Sequence, residues 1–251
     1  MGQFKLYCAG TAEATRNAAS IIKRSGFPIA QSPGADITDL LLDVPSFRKD
    51  GELRDGEDPE ALFSRLPRGC RIWGGNLNMT DGFTAIDLLQ DPGYLAENAA
   101  ITAECALKIA APILKTIWKH THVLIIGWGR IGKQLSKMLK SAGAAVTVCA
   151  RKSSDRALVR AFGYGAADIQ SLPHLLSCSD VIFNTAPAHI LEADIMDAHP
   201  ACIAIDLASI QGLEGSHVIW ARGLPGKLAP KASGQLIAET ILRKGKEVFP
   251  F

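Results

Sequence analysis

The sequence lacks the features that mark several classes of protein. No run of consecutive Lys or Arg is longer than a pair, and 27 basic residues nearly balance 25 acidic ones, for a net charge of +2. That balance argues against a nucleic-acid binder. No stretch approaches the roughly 20 apolar residues that span a bilayer, and no basic region with a following apolar run opens the chain. We therefore expect a cytoplasmic protein that binds neither nucleic acid nor membrane.

The cysteines also lack a pattern that would bind a metal. None of the six shows C-x-x-C spacing, and most lie in apolar runs, where a thiol behaves as a small hydrophobic group. We expect a reducing compartment and no metal site. Apolar residues make up 47% of the 251 residues, a globular composition. At a prior of about 150 residues per domain, this length predicts one large or two modest domains.

Short apolar runs alternate with helical patterns in the first hundred residues. The patterns predict strands over residues 4–9, 37–44 and 71–73, and helices over residues 11–25 and 59–66. Because this alternation is typical of a parallel sheet, we assign residues 1–100 to an N-terminal flavodoxin-like α/β domain. A helix predicted over residues 101–118, kinked at Pro112, makes residues 101–120 a linking segment.

The alternation restarts after the linking segment. Strands are predicted over residues 122–126, 145–149, 181–183, 202–206 and 217–220, with a helix over residues 130–141. We assign residues 121–225 to a Rossmann domain, and residues 226–251 to a C-terminal helix that packs back on the first domain. The predicted fold class is α/β, with two parallel-sheet domains, the second a Rossmann-type doubly wound dinucleotide-binding domain.

The motif G-x-G-x-x-G lies directly after an apolar strand and at the start of a helix. In this context it indicates dinucleotide binding rather than a plain strand-to-helix turn. Gly127 permits the tight turn, Gly129 lets the backbone approach a pyrophosphate, and Gly132 lets the helix pack closely on the strand. The helix N-terminus then meets the phosphate charge. The residues expected at the cofactor are Gly127, Trp128, Gly129, Arg130, Ile131 and Gly132.

The strand after the fingerprint ends in a basic turn. NAD enzymes place an acid about 20 residues beyond the glycines to hold the ribose 2′-hydroxyl. Here Arg151, Lys152 and Ser153 stand at that point instead. Two cations and a hydroxyl suit a ribose 2′-phosphate, so we expect NADP rather than NAD as cofactor. The alternative is a solvated basic turn.

Polar residues also follow two later strands. Open α/β sheets bind ligands at the carboxyl ends of their strands, so we expect the residues that follow these two strands to contact the nicotinamide side of a cofactor. Asn184 could equally form a turn, and Asp206 could cap a neighbouring helix. The two sets are Asn184, Thr185 and Ala186, and Asp206, Leu207 and Ala208.

The order and the residue sequences of these segments resemble those of the family of the A subunit of dipicolinate synthase, over most of the chain after Gly74. Two parts of the resemblance are the most specific. They are Asp206-Leu207-Ala208-Ser209, and Gly223-Leu224-Pro225-Gly226 followed by Ala229-Pro230-Lys231. One departure follows Ser209, where the family tends to show a Pro-Gly-Gly turn and this chain has Ile210-Gln211-Gly212-Leu213.

The resemblance implies a sporulation oxidoreductase that oxidises a dihydrodipicolinate-type ring to dipicolinate, with NADP as hydride acceptor and a flavoprotein-like second subunit. A small dicarboxylate substrate calls for cations or hydrogen-bond donors. Lys231 is the first candidate, unless it is an exposed lysine before the last helix, and Ser209, Asn76 and Thr102 are the others. Glu104 is either a proton acceptor or a first-turn carboxylate. We also expect a homo-oligomer.

Two other functions remain open at this point. One is another NADP-linked two-domain dehydrogenase, similar to shikimate or 2-hydroxyacid dehydrogenases. The sequence has no histidine after His217 to act as the acid of a 2-hydroxyacid enzyme, and no obvious Lys and Asp pair for a shikimate-type relay. The other is a non-catalytic NADP-binding subunit. An intact glycine fingerprint fits both.

Overall fold

The computed structural model describes residues 4–54, 56–77 and 82–248. The chain divides into two compact units, of which the second is Ala99–Leu224 and the first comprises the residues before and after it. Each unit is built on a parallel sheet. The predicted fold class is confirmed, because both units are α/β and the second has the Rossmann arrangement.

The first part of the chain forms a sheet with the strand order β2-β1-β3-β4-β5. All its neighbouring strands are parallel, and the order is that of flavodoxin-like sheets. Leu40, Leu62 and Ile72 lie in the core on one side of it. The elements are β1 (Leu6–Cys8), α1 (Glu13–Arg24), β2 (Ile29–Ala30), β3 (Asp39–Leu41), α2 (Pro59–Phe63), β4 (Arg71–Gly74), β5 (Thr84–Asp87) and α3 (Pro92–Ala110).

The helix predicted over residues 101–118 is wrong at both ends, since α3 is Pro92–Ala110. It begins there because the Asp91 carboxylate accepts a hydrogen bond of 2.7 Å from the Tyr94 N–H, and proline is favoured at the first helical position. It ends before Pro112 because the residue preceding a proline is disfavoured in a helix. Pro112 therefore lies beyond the helix and does not kink it.

The second unit contains a sheet with the order β8-β7-β6-β9-β10-β11. Counted from its own first strand, this is the Rossmann order 3-2-1-4-5-6, again with parallel neighbours. The order reverses between β6 and β9. The elements are β6 (His122–Ile126), α4 (Arg130–Ser141), β7 (Ala145–Cys149), α5 (Ser153–Ala161), β8 (Gly165–Ala167), α6 (Leu172–Leu176), β9 (Val181–Asn184), α7 (Ala193–Asp197), β10 (Ile203–Asp206) and β11 (Ile219–Trp220).

Two helices complete the described chain, α8 (Leu224–Leu228) and α9 (Pro230–Val248). Because α9 begins at Pro230, within the segment 226–251 assigned to the C-terminal helix, Lys231 lies in its first turn. The contact between α9 and α1 is close at Gly234, where an added Cβ would lie 2.5 Å from the Ala14 carbonyl oxygen and 2.6 Å from Asn17 Cβ. The C-terminal helix thus packs on α1 within the first unit. Across the described residues, no helix is long and apolar enough to cross a membrane.

Candidate dinucleotide site

The loop between β6 and α4 lies at the point where the strand order of the second unit reverses. Gly127 has φ +102°, a left-handed conformation that favours glycine, and a Cβ there would lie 2.6 Å from Thr185 Oγ1. Gly132 lies so close to the loop that a Cβ would collide with the Gly127 carbonyl oxygen. Both glycines are therefore required by the packing of the chain itself.

Gly129 is different, because the chain does not need a glycine there. Its φ is −81°, an ordinary value, and an added Cβ would have no heavy atom within 4 Å. The residue is exposed at the N-terminus of α4. Open space beside unpaired helix N–H groups is what a pyrophosphate requires. The loop thus fits a dinucleotide.

Thr185 joins the ends of β6 and β9 at this point. Its hydroxyl donates to the Ile126 carbonyl oxygen at 2.9 Å, and its backbone N–H donates to the same oxygen at 2.8 Å. The Thr185 side chain therefore packs directly against Gly127. Ala186, the next residue, donates its N–H to Asn184 Oδ1 at 3.0 Å and closes a tight turn. Asn184 is thus a turn-forming residue, one of the two alternatives that the sequence left open.

Asn184 and Asp206 are both completely buried and hydrogen-bonded to each other, with Asn184 Nδ2 donating to Asp206 Oδ1 at 3.0 Å. Asp206 Oδ1 also accepts from the Ala208 N–H at 2.9 Å, and its Oδ2 accepts from the N–H groups of Gly212 and Leu213 at 2.6 and 2.8 Å. These donors belong to the loop after β10, so Asp206 does not cap a helix. It holds the loop in place, with Leu207 and Ala208 buried beside it.

The basic turn after β7 is held by a residue that the sequence analysis missed. Arg151, Lys152 and Ser153 are exposed. Arg156 Nη1 donates to the carbonyl oxygens of Ala150 and Arg151 at 2.8 and 2.7 Å. A basic residue in the second turn of the helix after such a strand is the signal that could have identified it.

Trp128 packs away from the glycine loop, within its own unit. Its ring centroid lies 6.2 Å from that of Phe162 and 5.9 Å from that of Tyr164, and Lys133 Nζ lies 5.7 Å above it. Arg130 is exposed and Ile131 half-buried at the start of α4. Apart from the Trp128 side chain, the expected cofactor residues thus follow the carboxyl ends of β6, β7, β9 and β10 in one sheet.

The residues predicted to act on the substrate divide between the two units. In the first unit, Asn76 is exposed after β4 with φ +56°, and Lys231 is exposed in the first turn of α9 rather than before that helix. In the second unit, Ser209 is exposed after β10, and Thr102 is buried within α3. Glu104 is exposed in the middle of α3, so its placement in a first turn is wrong.

No cluster of three or more His, Cys, Asp or Glu that could hold a metal ion occurs among the residues that the structure describes.

Three comparisons relate the chain to known proteins. Residues 108–200 match the family described as D-isomer specific 2-hydroxyacid dehydrogenase, NAD binding domain. The chain is 26% identical over 242 residues to the A subunit of dipicolinate synthase from Bacillus subtilis (strain 168). That alignment covers 88% of this chain and 82% of the relative. The crystal structure of the A subunit of dipicolinate synthase from Bacillus halodurans superposes with a TM-score of 0.82 at 21% identity, over 97% of this chain and 98% of that one.

A transhydrogenase from Sinorhizobium meliloti has the same fold, with a TM-score of 0.72 at 12% identity over 98% of this chain and 94% of that one. These comparisons confirm the resemblance to the A subunit of dipicolinate synthase and the two-unit α/β fold. The matched NAD-binding domain includes the glycine fingerprint. This match supports the assignment of the protein as a dehydrogenase-type oxidoreductase with a nicotinamide dinucleotide as cofactor.

Proposed function

We propose that this protein is an NADP-dependent oxidoreductase that oxidises a dihydrodipicolinate-type ring to dipicolinate. The observation that carries the proposal is the combination of an open glycine loop at Gly129 with an exposed basic turn at Arg151 and Lys152. The substrate class rests on the similarity to dipicolinate synthase.

The cofactor preference follows from the charges at the end of β7. Arg151 and Lys152 offer charge-assisted hydrogen bonds to a ribose 2′-phosphate, and no carboxylate occupies residues 149–153 to hold a 2′-hydroxyl. The open N-terminus of α4 receives the pyrophosphate. When bound, the cofactor supplies the nicotinamide ring that accepts a hydride.

Oxidation of the dihydro ring removes a hydride from one carbon and a proton from its neighbour, and the product is an aromatic pyridine. Because aromatisation favours the product, a strong base is unnecessary, and the residues of the chain chiefly position the substrate. Lys231 is our first candidate for binding a substrate carboxylate, and Ser209, Asn76 and Thr102 are the other candidates. Glu104, exposed on α3, is the candidate acceptor of the ring proton.

The relative from Bacillus subtilis is one subunit of dipicolinate synthase, which supports a second subunit for this protein too. We propose a flavoprotein-like partner and a homo-oligomeric arrangement of this chain.

A hydride-transfer assay tests the proposal directly. NADP reduction is followed with dihydrodipicolinate as substrate, first with the isolated chain and then in the presence of the flavoprotein-like partner. We expect reduction of NADP and formation of dipicolinate in at least one condition. Reduction of 2-oxo acids with no activity on dihydrodipicolinate would instead identify a 2-hydroxyacid dehydrogenase. Binding of NADP without turnover in either condition would identify a non-catalytic subunit.

The assignment of Lys231 is tested by titrating dipicolinate into the NADP-loaded protein. Lys231→Ala removes the cation, so the dissociation constant for dipicolinate should rise while that for NADP stays unchanged. Lys227→Ala, at an exposed lysine of α8, is the matched control. Equal dipicolinate affinities in all three proteins would remove Lys231 from the site.

A further inference from the structure

A cation and an aromatic ring lie together at the carboxyl end of β11. The guanidinium carbon of Arg222 lies 5.4 Å from the centre of the Trp220 ring. Trp220 is the last residue of β11, and the large indole remains 43% exposed. Trp220 thus leaves a large apolar ring partly accessible beside an exposed guanidinium.

The indole is fixed to the neighbouring loop. Trp220 Nε1 donates to the Ala208 carbonyl oxygen at 3.1 Å, and the Ala221 N–H donates to the Asp206 carbonyl oxygen at 2.8 Å. The loop after β10 is itself held by the buried Asp206 carboxylate. Ser209, exposed, follows directly after Ala208. The ring, the loop and the hydroxyl therefore belong to one rigid edge of the second unit.

The donors of Arg222 are available for a ligand. In the part of the chain that the structure describes, no carboxylate forms an ion pair with Arg222 and no hydrogen bond engages its guanidinium. A guanidinium held against an aromatic ring keeps its N–H donors at the rim of its plane, in a fork that matches a carboxylate. The geometry thus presents a preoriented carboxylate receptor beside an apolar, planar surface.

The position of the pair indicates which ligand it binds. In a doubly wound sheet, ligands lie outside the carboxyl ends of the strands, and the dinucleotide spans the point where the order reverses. The glycine loop and the basic turn are on the β6-β7-β8 side of that point, whereas Arg222 and Trp220 are on the β9-β10-β11 side. That second half holds the nicotinamide end of a cofactor, and with it the reacting substrate.

We propose that Arg222 binds one carboxylate of a planar heteroaromatic dicarboxylate and that Trp220 positions it, with the ligand ring lying along the indole. The inference rests on the proposed function and deepens it, because it names a carboxylate receptor within the second unit. Arg222 is a substrate-contacting residue in this account, and Trp220 is both a contact and a positioning residue. The neighbouring Ile210, with 61% of its surface exposed, adds apolar area beside Ser209.

Calorimetric titration of dipicolinate into the NADP-saturated protein tests the proposal. Arg222→Ala should weaken dipicolinate binding at least about tenfold, which corresponds to about 1.4 kcal/mol, because a charge-assisted pair is lost. Arg222→Lys should recover only part of the affinity, since an ammonium lacks the two-donor fork. Trp220→Leu should give an intermediate loss. In the two Arg222 variants the NADP dissociation constant and the melting temperature should stay at the wild-type values. In Trp220→Leu the NADP dissociation constant should also stay unchanged, but the melting temperature should fall because the hydrogen bond from Nε1 to the Ala208 carbonyl oxygen is lost.

The control is Arg160→Ala, at an exposed arginine of the same unit on α5. Wild-type affinity for dipicolinate in Arg222→Ala would overturn the inference and leave the proposed function standing. Failure of the wild-type protein to bind dipicolinate at all would count against the proposed function and the inference together. Unchanged dipicolinate affinity combined with a loss of self-association, measured by light scattering, would assign the pair to a protein interface and also overturn the inference.

Discussion

Arg156 and Asp168 form an ion pair, with 2.6 Å between Nη1 and Oδ2, that connects α5 to the end of β8. The same Arg156 nitrogen donates to the carbonyl oxygens of Ala150 and Arg151. The pair therefore fixes the backbone of the basic turn on which the proposed NADP preference depends, although neither side chain is itself assigned to the cofactor.

Loss of this pair should reduce NADP affinity selectively. In Arg156→Ala, the carbonyl oxygens of Ala150 and Arg151 lose the hydrogen bonds that the guanidinium donates to them. Because Arg151 is then held less firmly at the 2′-phosphate position, we expect about tenfold weaker binding of NADP and little change in the binding of NAD. The two affinities are measured by calorimetry, with Arg160→Ala as the control. Equal losses for both cofactors would show that Arg156 supports the whole loop and not the 2′-phosphate position.

The fingerprint glycines should separate stability from cofactor binding. Gly129→Ala places its Cβ in open space, so the melting temperature should not change, but the methyl group should obstruct the pyrophosphate and weaken both NADP and NAD. Gly132→Ala forces a Cβ against the Gly127 carbonyl oxygen, and should destabilise the protein by about 1–3 kcal/mol. Dinucleotide affinity unchanged in Gly129→Ala would contradict the placement of the pyrophosphate.

Asp206 should be a stability residue rather than a cofactor contact. An asparagine offers one acceptor oxygen where the carboxylate accepts from four N–H groups, and it turns its own amide toward some of them. We expect Asp206→Asn to destabilise the protein by about 2–4 kcal/mol, measured by urea unfolding. Asp194→Asn, at an exposed residue of the same unit, serves as the control and should be nearly neutral. A stable Asp206→Asn protein that loses only cofactor affinity would contradict this role.

Asp91 should make the first unit sensitive to acid. Burial opposes its charge, but the Tyr94 N–H and the cations of Lys244 and Arg243, each 3.0 Å away, outweigh burial and hold the pKa of Asp91 far below its usual value. Because the folded pKa is lowered, this stabilisation is present above about pH 4, the unfolded value, and is lost as the pH falls below it.

Asp91→Asn tests this because asparagine also caps a helix well, so the substitution removes the charge and keeps the cap. We expect a loss of about 1–2 kcal/mol at neutral pH, reduced by the partial exposure of Arg243 and Lys244, and a smaller difference in acid. Asp58→Asn is the matched control, since Asp58 caps α2 before a proline and no cation contacts its carboxylate among the described residues. A difference that does not change with pH would refute the electrostatic origin.

The sequence predicted the second unit better than the first for a physical reason. Buried strands with β-branched side chains give a clear pattern, and the predicted bounds of His122–Ile126 and Ala145–Cys149 agree with the structure. The bounds of β9 and β10 differ by one residue, β11 is two residues shorter than predicted, and the short strand Gly165–Ala167 was not predicted. Strand Ile29–Ala30 is only two residues long, and Thr84–Asp87 has just two apolar residues, which are adjacent and do not alternate with polar ones, so neither shows a strand pattern. The start of α3 depends on the cap at Asp91, which apolar periodicity does not detect, so the pattern alone misplaced it.

At the site, the sequence identified the glycines because their requirement is local. Gly127 needs a left-handed turn and Gly132 a close approach within five residues of chain. The roles of Asp206 and Arg156 could not be predicted in the same way, since each depends on which N–H or carbonyl groups the fold brings to it from other segments. The position of Asp206 after a strand predicted a ligand contact. In the structure both of its carboxylate oxygens accept hydrogen bonds from groups of the chain itself.

In the proposed function, the second unit binds NADP with the 2′-phosphate at Arg151. Parallel calorimetric titrations of NADP and NAD into the wild-type protein and Arg151→Glu test it most directly. We predict tighter binding of NADP than of NAD in the wild type, and a loss of at least about tenfold for NADP in the variant, because a charge-assisted hydrogen bond worth about 1.5–3 kcal/mol becomes a repulsion. NAD should be little affected. Equal affinity of the wild-type protein for the two cofactors would contradict the account.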